Sequence, residues 1–264
     1  MTNEYIPQAA VIREIIPHTE REWTFRVETD GTNTKPGQFY EISIPRYGES
    51  PISVSGYADD FVDFTIRNVG RVTNYLFDLK PGDKLALRGP YGNGFDIEEF
   101  KNKEVIIVAG GTALSPVRGV IEYAYYHPEE FKGFSVICGF KSPAEVLFRD
   151  DIERWKERLN VIQCVDGAPE GYTGPVGMVT AFIPDIEIKD AENLQAIVAG
   201  PPVMIKFSTL ELQKRGIIDH NLWVSYERRM HCGLGKCGHC KMDDTYICLD
   251  GPVFRFTDAR KLFD

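Results

Sequence analysis

The stretch Val105-Ile106-Ile107-Val108-Ala109-Gly110-Gly111-Thr112-Ala113-Leu114-Ser115-Pro116 runs from five apolar residues into two glycines, further small residues and a proline. A short continuous apolar run rich in β-branched residues reads as a strand buried on both faces, as in a parallel sheet. The glycines let the chain turn, and Pro116 sits where a helix is expected to begin, a position that tolerates a missing N–H. Small residues at such a turn also let a phosphate approach main-chain N–H groups at the positive end of the helix dipole. Taken alone, the motif is equally a turn that needs glycine in order to bend.

The same texture continues downstream. Strands are predicted at Phe134 to Gly139, Val161 to Val165, Ala196 to Ala199 and Leu222 to Ser225, with helices at Pro116 to Tyr126, Arg149 to Leu159 and Val203 to Arg215. A second turn, Ala199-Gly200-Pro201-Pro202-Val203-Met204, follows a later strand, and two such turns at strand carboxyl ends imply one shared ligand crevice. Upstream the pattern is different. Short β-prone runs at Trp23 to Val27, Phe39 to Ile44, Phe61 to Ile66 and Lys84 to Arg88 are split by Gly, Pro, Asn and Asp. Their alternation predicts an antiparallel barrel or sandwich, interrupted by one helix near Thr73 to Leu79. The expected division is 1–98, 99–225 and 226–264.

A length of 264 residues fits two domains with a small appendage. A net charge of -9, with 39 acidic residues against 30 basic ones, excludes a protein built to neutralise nucleic-acid phosphates. The first ten residues lack a basic region and an apolar core, so no signal peptide is expected. No apolar run approaches bilayer-spanning length, and the default location is the cytoplasm.

Four of the six cysteines crowd into the last segment: Cys232, Cys237, Cys240 and Cys248, spaced C-x4-C-x2-C-x7-C. The first three have plant-type [2Fe–2S] spacing, and crowded thiols in a reducing compartment read as metal ligands. Gly233, Gly235 and Gly238 let the loop wrap tightly enough to aim N–H groups at the sulfurs, with Lys236 nearby. A structural zinc site is the other reading, although it usually uses two C-x2-C pairs and only Cys237 and Cys240 form one here. His231 and His239 are expected to be solvated loop residues, and Cys138 and Cys164 small core residues.

These motifs in this order resemble the ferredoxin-NADP reductase superfamily over nearly the whole chain, in the branch of dihydroorotate dehydrogenase electron-transfer subunits and sulfhydrogenase gamma subunits. Within that branch the chain is most similar to anaerobic sulfite reductase B subunits. The likeness is carried by Ser50-Pro51-Ile52-Ser53-Val54-Ser55, Ile66-Arg67-Asn68-Val69-Gly70, Tyr226-Glu227-Arg228-Arg229-Met230 and Gly235-Lys236-Cys237-Gly238-His239-Cys240. The resemblance implies an N-terminal flavin-binding β-barrel, a parallel-sheet α/β nucleotide-binding domain and a small C-terminal iron–sulfur lobe.

It further implies that Pro51, Ile52, Ser53 and Val54 lie beneath the isoalloxazine of FAD, with a hydroxyl near flavin N5. Thr65, Ile66, Arg67, Gly70, Val72 and Thr73 would hold the ribityl and pyrophosphate. Gly110, Gly111, Thr112 and Pro116 would hold the phosphates of NADH, and Gly200, Pro201 and Met204 would lie near its nicotinamide. Ser50 stands where many members carry an Arg that pairs with flavin phosphate, which leaves more of that work to Arg67. Ala113 and Ala199 replace a frequent Gly and Cys.

A nicotinamide gives up two electrons as hydride, a cluster takes one at a time, and a flavin can do both, which accounts for three such sites in one chain. Nothing here resembles a sirohaem site. The partners expected from the resemblance are therefore an iron–sulfur subunit and a sirohaem sulfite reductase subunit, with equivalent hydrogenase, sulfhydrogenase or dihydroorotate dehydrogenase partners as the alternative. The apolar run Pro252 to Phe256 is a candidate docking edge. A zinc-stabilised interaction subunit without catalysis is the reading from a different class.

Overall fold

The computed structural model describes residues 4–262. Six strands close a barrel: β1 (Gln8–Pro17), β2 (Glu22–Glu28), β3 (Phe39–Ile44), β4 (Gly48–Ala58), β5 (Phe61–Arg67) and β6 (Lys84–Tyr91), in the order β1-β2-β5-β4-β3-β6 with β6 returning to β1. All its pairs are antiparallel. Of the two architectures open to the sequence, closure selects the barrel, which leaves no free strand edge. Alternation works as expected: Tyr40, Ile42 and Ile44 of β3, Leu85 and Leu87 of β6 and Phe64 and Ile66 of β5 fill the interior. Their strand neighbours Glu41, Ser43 and Arg88 consequently lie on the outer face. Helix α1 (Arg71–Leu76) follows β5, two residues earlier than its sequence pattern predicts.

The second architecture is a six-stranded sheet: β7 (Glu104–Gly110), β8 (Gly133–Phe140), β9 (Asn160–Val165), β10 (Gln195–Ala199), β11 (Leu222–Ser225) and β14 (Val253–Arg255), in the order β14-β11-β10-β7-β8-β9. The five strands β7 to β11 run parallel. Helix α2 (Leu114–Tyr126) packs on β7, β8 and β10, α3 (Arg149–Trp155) on β9, and α4 (Pro202–Lys214) on β10. Pro202 opens α4, one residue before the predicted start at Val203, whereas α2 starts at Leu114 and Pro116 is its third residue. Pro116 still falls in the first turn, where N–H groups have no helical partner. α3 ends at Trp155 rather than Leu159, and the chain continues in single turns, with Glu157 N–H on Arg154 and Arg158 N–H on Trp155. Among the described residues no helix is long and apolar enough to cross a membrane.

Between β11 and β14 lie a short hairpin of β12 (Lys241–Met242) and β13 (Thr245–Tyr246) and the single turn α5 (Ile247–Asp250). The chain ends in α6 (Phe256–Ala259) and a final 3-10 turn. Contacts group the chain into two compact units, residues 1–95 with 226–253, and 96–225 with 254–264. The cysteine segment thus shares a unit with the barrel. One expectation is corrected. Pro252, Val253 and Phe254 are buried and Phe256 is partly so, because the run forms strand β14 and enters α6 rather than presenting an apolar docking edge.

Candidate functional site

In the barrel unit, three strands carry the features that matter. Across the outer face of β4, β3 and β6, Pro51 stands opposite Glu41 and Glu41 opposite Arg88, while one row away Ser53 stands opposite Phe39 and Phe39 opposite Tyr91. Pro51, Ile52 and Ser53 are half-buried and Val54 lies in the core, where a register shift before Gly56 bends β4. The stretch assigned to the isoalloxazine is therefore a partly open strand surface.

The ribityl and pyrophosphate candidates are split. Ile66 faces the barrel core, and the Thr65 hydroxyl sits in a buried chain, 2.8 Å from Ser55 Oγ and 2.7 Å from Thr24 Oγ1. Thr73 Oγ1 accepts from the N–H groups of Val69 (3.0 Å) and Gly70 (2.9 Å) and so caps α1. These side chains hold the backbone in place, which leaves main-chain groups, Gly70 and half-buried Val72 for a ligand. Arg67 lies 3.0 Å from Oε1 of buried Glu22, but its Nε makes no hydrogen bond, so the guanidinium is held by charge and not by a fork.

The cysteine loop is fastened to the same barrel face. Arg88 donates to the carbonyl oxygens of His231 and Cys232, at 2.5 Å each. Gly233, at φ +72°, passes so close to Tyr91 that a Cβ there would come within 2.6 Å of the ring, so only glycine fits. After the cysteines, Asn93 accepts from Val253 N–H and donates to Val253 O (2.7 Å), while its own N–H reaches Gly251 O (2.8 Å).

Inside the loop, N–H groups point at sulfur. Leu234 and Lys236 donate to Cys232 Sγ at 3.4 Å each, and Gly235 donates to Cys248 Sγ at 3.2 Å. The thiols meet as two pairs, Cys232 with Cys237 and Cys240 with Cys248. Burial opposes ionisation of Cys232, but the N–H groups of Leu234, Lys236 and Cys237 outweigh it and bring the thiol down to about 6. For Cys248 burial wins, reinforced by Cys240, and the thiol is pushed up to about 12. Four convergent sulfurs with N–H donors aimed at them fit a group that adds negative charge on reduction.

His231 and His239 are exposed, with ring centroids 4.0 Å apart. Cys138 and Cys164 lie buried in β8 and β9, where burial drives both thiols up, Cys164 to about 12. Alkylation of metal-free protein at pH 7 is therefore expected to modify the thiolate-rich Cys232 and the exposed Cys237 well before Cys138 and Cys164, as peptide mass mapping will show.

The sheet unit brings the two glycine turns together. They follow β7 and β10, adjacent parallel strands whose ends pair Ala109 with Ala199. From β7 the chain moves on to β8, and from β10 it moves the other way to β11, so the turns sit at a topological switch point, where open α/β sheets bind ligands. Met204 lies between them: a Cβ on Gly110 or Gly200 would stand 2.5 or 2.6 Å from its sulfur. Gly111, at φ +58°, faces open space. Thr112 is half-buried and Pro201 exposed, while Pro116 is buried in α2 and shapes the turn without offering a ligand surface. Sequence reasoning missed Ser115, whose buried Oγ has no partner at the start of α2. It also missed Arg88 and Glu41.

Comparison with known proteins follows this division. Residues 107–209 match the model of an oxidoreductase NAD-binding domain, and residues 227–259 that of the iron–sulfur cluster binding domain of dihydroorotate dehydrogenase B. Over 97% of its length the chain is 36% identical to the sulfhydrogenase 2 gamma subunit of Pyrococcus furiosus, and it covers 97% of that protein. It is 31% identical to a probable dihydroorotate dehydrogenase B (NAD(+)) electron transfer subunit of Methanocella arvoryzae, over 94% of this chain and 90% of that one. The chain belongs to this family of electron-transfer subunits. This chain shares its barrel-and-sheet fold with a chain of an NADH-dependent reduced ferredoxin-NADP oxidoreductase studied for flavin-based electron bifurcation. That chain aligns here with a TM-score of 0.78 at 23% identity, over 94% of this chain and 88% of that one. The protein is thus an oxidoreductase subunit in which an NAD-binding and an iron–sulfur cluster binding domain are both present.

Proposed function

We propose that this subunit takes hydride from NADH onto an FAD bound at the barrel and passes single electrons through a [2Fe–2S] cluster to a partner subunit. The carrying observation is that one barrel face holds both the Pro51–Ser53 stretch and, through Arg88, the loop of four cysteines. The division of labour follows 1–98 for FAD, 99–225 for the nucleotide and 226–264 for the cluster.

Bound flavin supplies the conversion from two-electron to one-electron chemistry. The residues supply the rest. Ser53 offers a hydroxyl on the strand surface that would face the ring, with Pro51, Ile52 and Val54 shaping its floor. Main chain around Thr65 to Arg67, with Gly70, Val72 and Thr73, would receive the ribityl and phosphates. Gly110, Gly111, Thr112 and Pro116 would form the phosphate turn for NADH, and Gly200, Pro201 and Met204 the nicotinamide side.

Cys232 with Cys237 and Cys240 with Cys248 would each hold one iron. One tetrahedral zinc would bring all four sulfurs to about 4 Å from one another. The match of residues 227–259 to an iron–sulfur cluster binding domain favours two irons over one zinc. Electrons would leave by the exposed edge Lys236 to His239.

For the acceptor, the relatives favour a sulfhydrogenase-type or dihydroorotate dehydrogenase-type partner over the sulfite reductase assembly that the motifs imply. The proposed sulfite reductase reading rests on those motifs alone. Anaerobic addition of NADH to the purified subunit is expected to bleach the flavin absorbance within the mixing time of a stopped-flow instrument. An unbleached flavin refutes the hydride step, and stoichiometric zinc without iron or sulfide refutes the cluster. Mass spectrometry of the co-purifying subunits decides the acceptor.

A further inference from the structure

Arg88 is the most heavily committed side chain in the barrel unit, and nothing in its strand pattern announces it. Its side chain is 5% exposed, and all five guanidinium N–H donors are used. Nε and Nη2 form a fork on Glu49, at 2.9 and 2.6 Å. The second Nη2 donor reaches His231 O and the two Nη1 donors reach Cys232 O and Tyr91 Oη, the last at 3.4 Å. Glu41, its cross-strand neighbour, takes none of them. Arg88 therefore directs two donors to a partly exposed carboxylate that orients it, two to the main chain at the first cysteine and one to Tyr91.

We infer that Arg88 is the positioning residue of the cluster loop: it locks Cys232 onto the barrel and places a permanent positive charge beside the reduced, more negative cluster. The inference rests on the proposed [2Fe–2S] reading for its second half only. Two carbonyls gripped by a planar fork fix the direction from which the Cys232 side chain leaves the main chain. A cation hydrogen-bonded to the main chain of the first cysteine favours added negative charge on the group that cysteine would hold, and Glu49, one-third exposed, offsets it incompletely. Lysine, with three donors on a flexible stem, keeps the charge but cannot hold Glu49 and both carbonyls together.

The test compares Arg88→Lys, Arg88→Met and the double variant Arg88→Met/Glu49→Gln, which leaves no carboxylate orphaned by loss of the guanidinium. In metal-free protein, amide exchange at residues 231–237 is expected to quicken at least tenfold in all three variants. Unchanged exchange overturns the lock whether or not the protein binds a cluster. In iron-loaded protein, redox titration followed by EPR is expected to show the reduced-to-oxidised ratio at fixed potential falling about tenfold in Arg88→Met, a shift of ~59 mV for one electron, falling less in the double variant, which also loses the opposing charge of Glu49, and holding within threefold in Arg88→Lys. A midpoint unmoved in Arg88→Met overturns the charge role. A wild-type protein that takes up no iron refutes the cluster reading and the charge role while leaving the exchange result to judge the lock.

Discussion

Replacing Cys240 by serine is expected to leave a protein that still oxidises NADH but delivers electrons to its partner at less than about one-hundredth of the parent rate, with most of its iron and sulfide gone. Cys240 is 2% exposed and paired with Cys248, so a hydroxyl placed there cannot be replaced by a neighbouring donor or by solvent. In the proposed function hydride transfer would use the strand surface of β4 and the turns after β7 and β10, which the substitution does not touch. The two half-reactions should therefore separate: flavin bleaching by NADH unchanged, partner reduction lost. Iron and acid-labile sulfide assays, with Cys164→Ser as the control from the buried pair on the sheet, check the ligand set. Full iron retention in Cys240→Ser would remove Cys240 from it.

The separation also explains why the sequence was legible where it was. Parallel strands buried on both faces must be continuous apolar runs, and the limits of β11 fall where its run begins and ends, while β9 and β10 each start one residue earlier than their runs. The glycine turns were legible for the same reason, since each closes such a run. β4 was harder, because Pro51 and the register shift before Gly56 break its alternation. The run Pro252 to Phe256 misled in the opposite direction: its apolar residues belong to a sheet edge that accepts it as β14, and no local pattern distinguishes that from an exposed patch. Ser115, Arg88 and Glu41 were out of reach for a further reason. Each is an ordinary polar residue in its own element, and Arg88 acquires its role only by meeting carbonyls 143 and 144 residues later in the chain.

Glu41 leads to the second large effect. It is fully buried on β3, neither carboxylate oxygen has a hydrogen-bond partner, and burial pushes its pKa up to about 8, with Glu49 and Cys232 adding to the rise and Arg88 opposing it. Because the folded value lies above the unfolded one, the native state keeps a proton that the unfolded chain releases between about pH 4.5 and 8. Stability from this group is thus fully present below pH 4.5, falls as pH rises across that window, and is flat again above it. One pKa unit corresponds to ~1.4 kcal/mol, so the full loss is on the order of 5 kcal/mol. Glu41→Gln has no proton to release, and the cost of its buried amide does not change with pH. Denaturant unfolding of both proteins from pH 4 to 9 should show the variant gaining on the parent by several kcal/mol across the window, with no further gain on either side. A gap that stays constant with pH would mean that Glu41 is ionised in the fold and that Arg88, despite sharing no hydrogen bond with it, neutralises it through space.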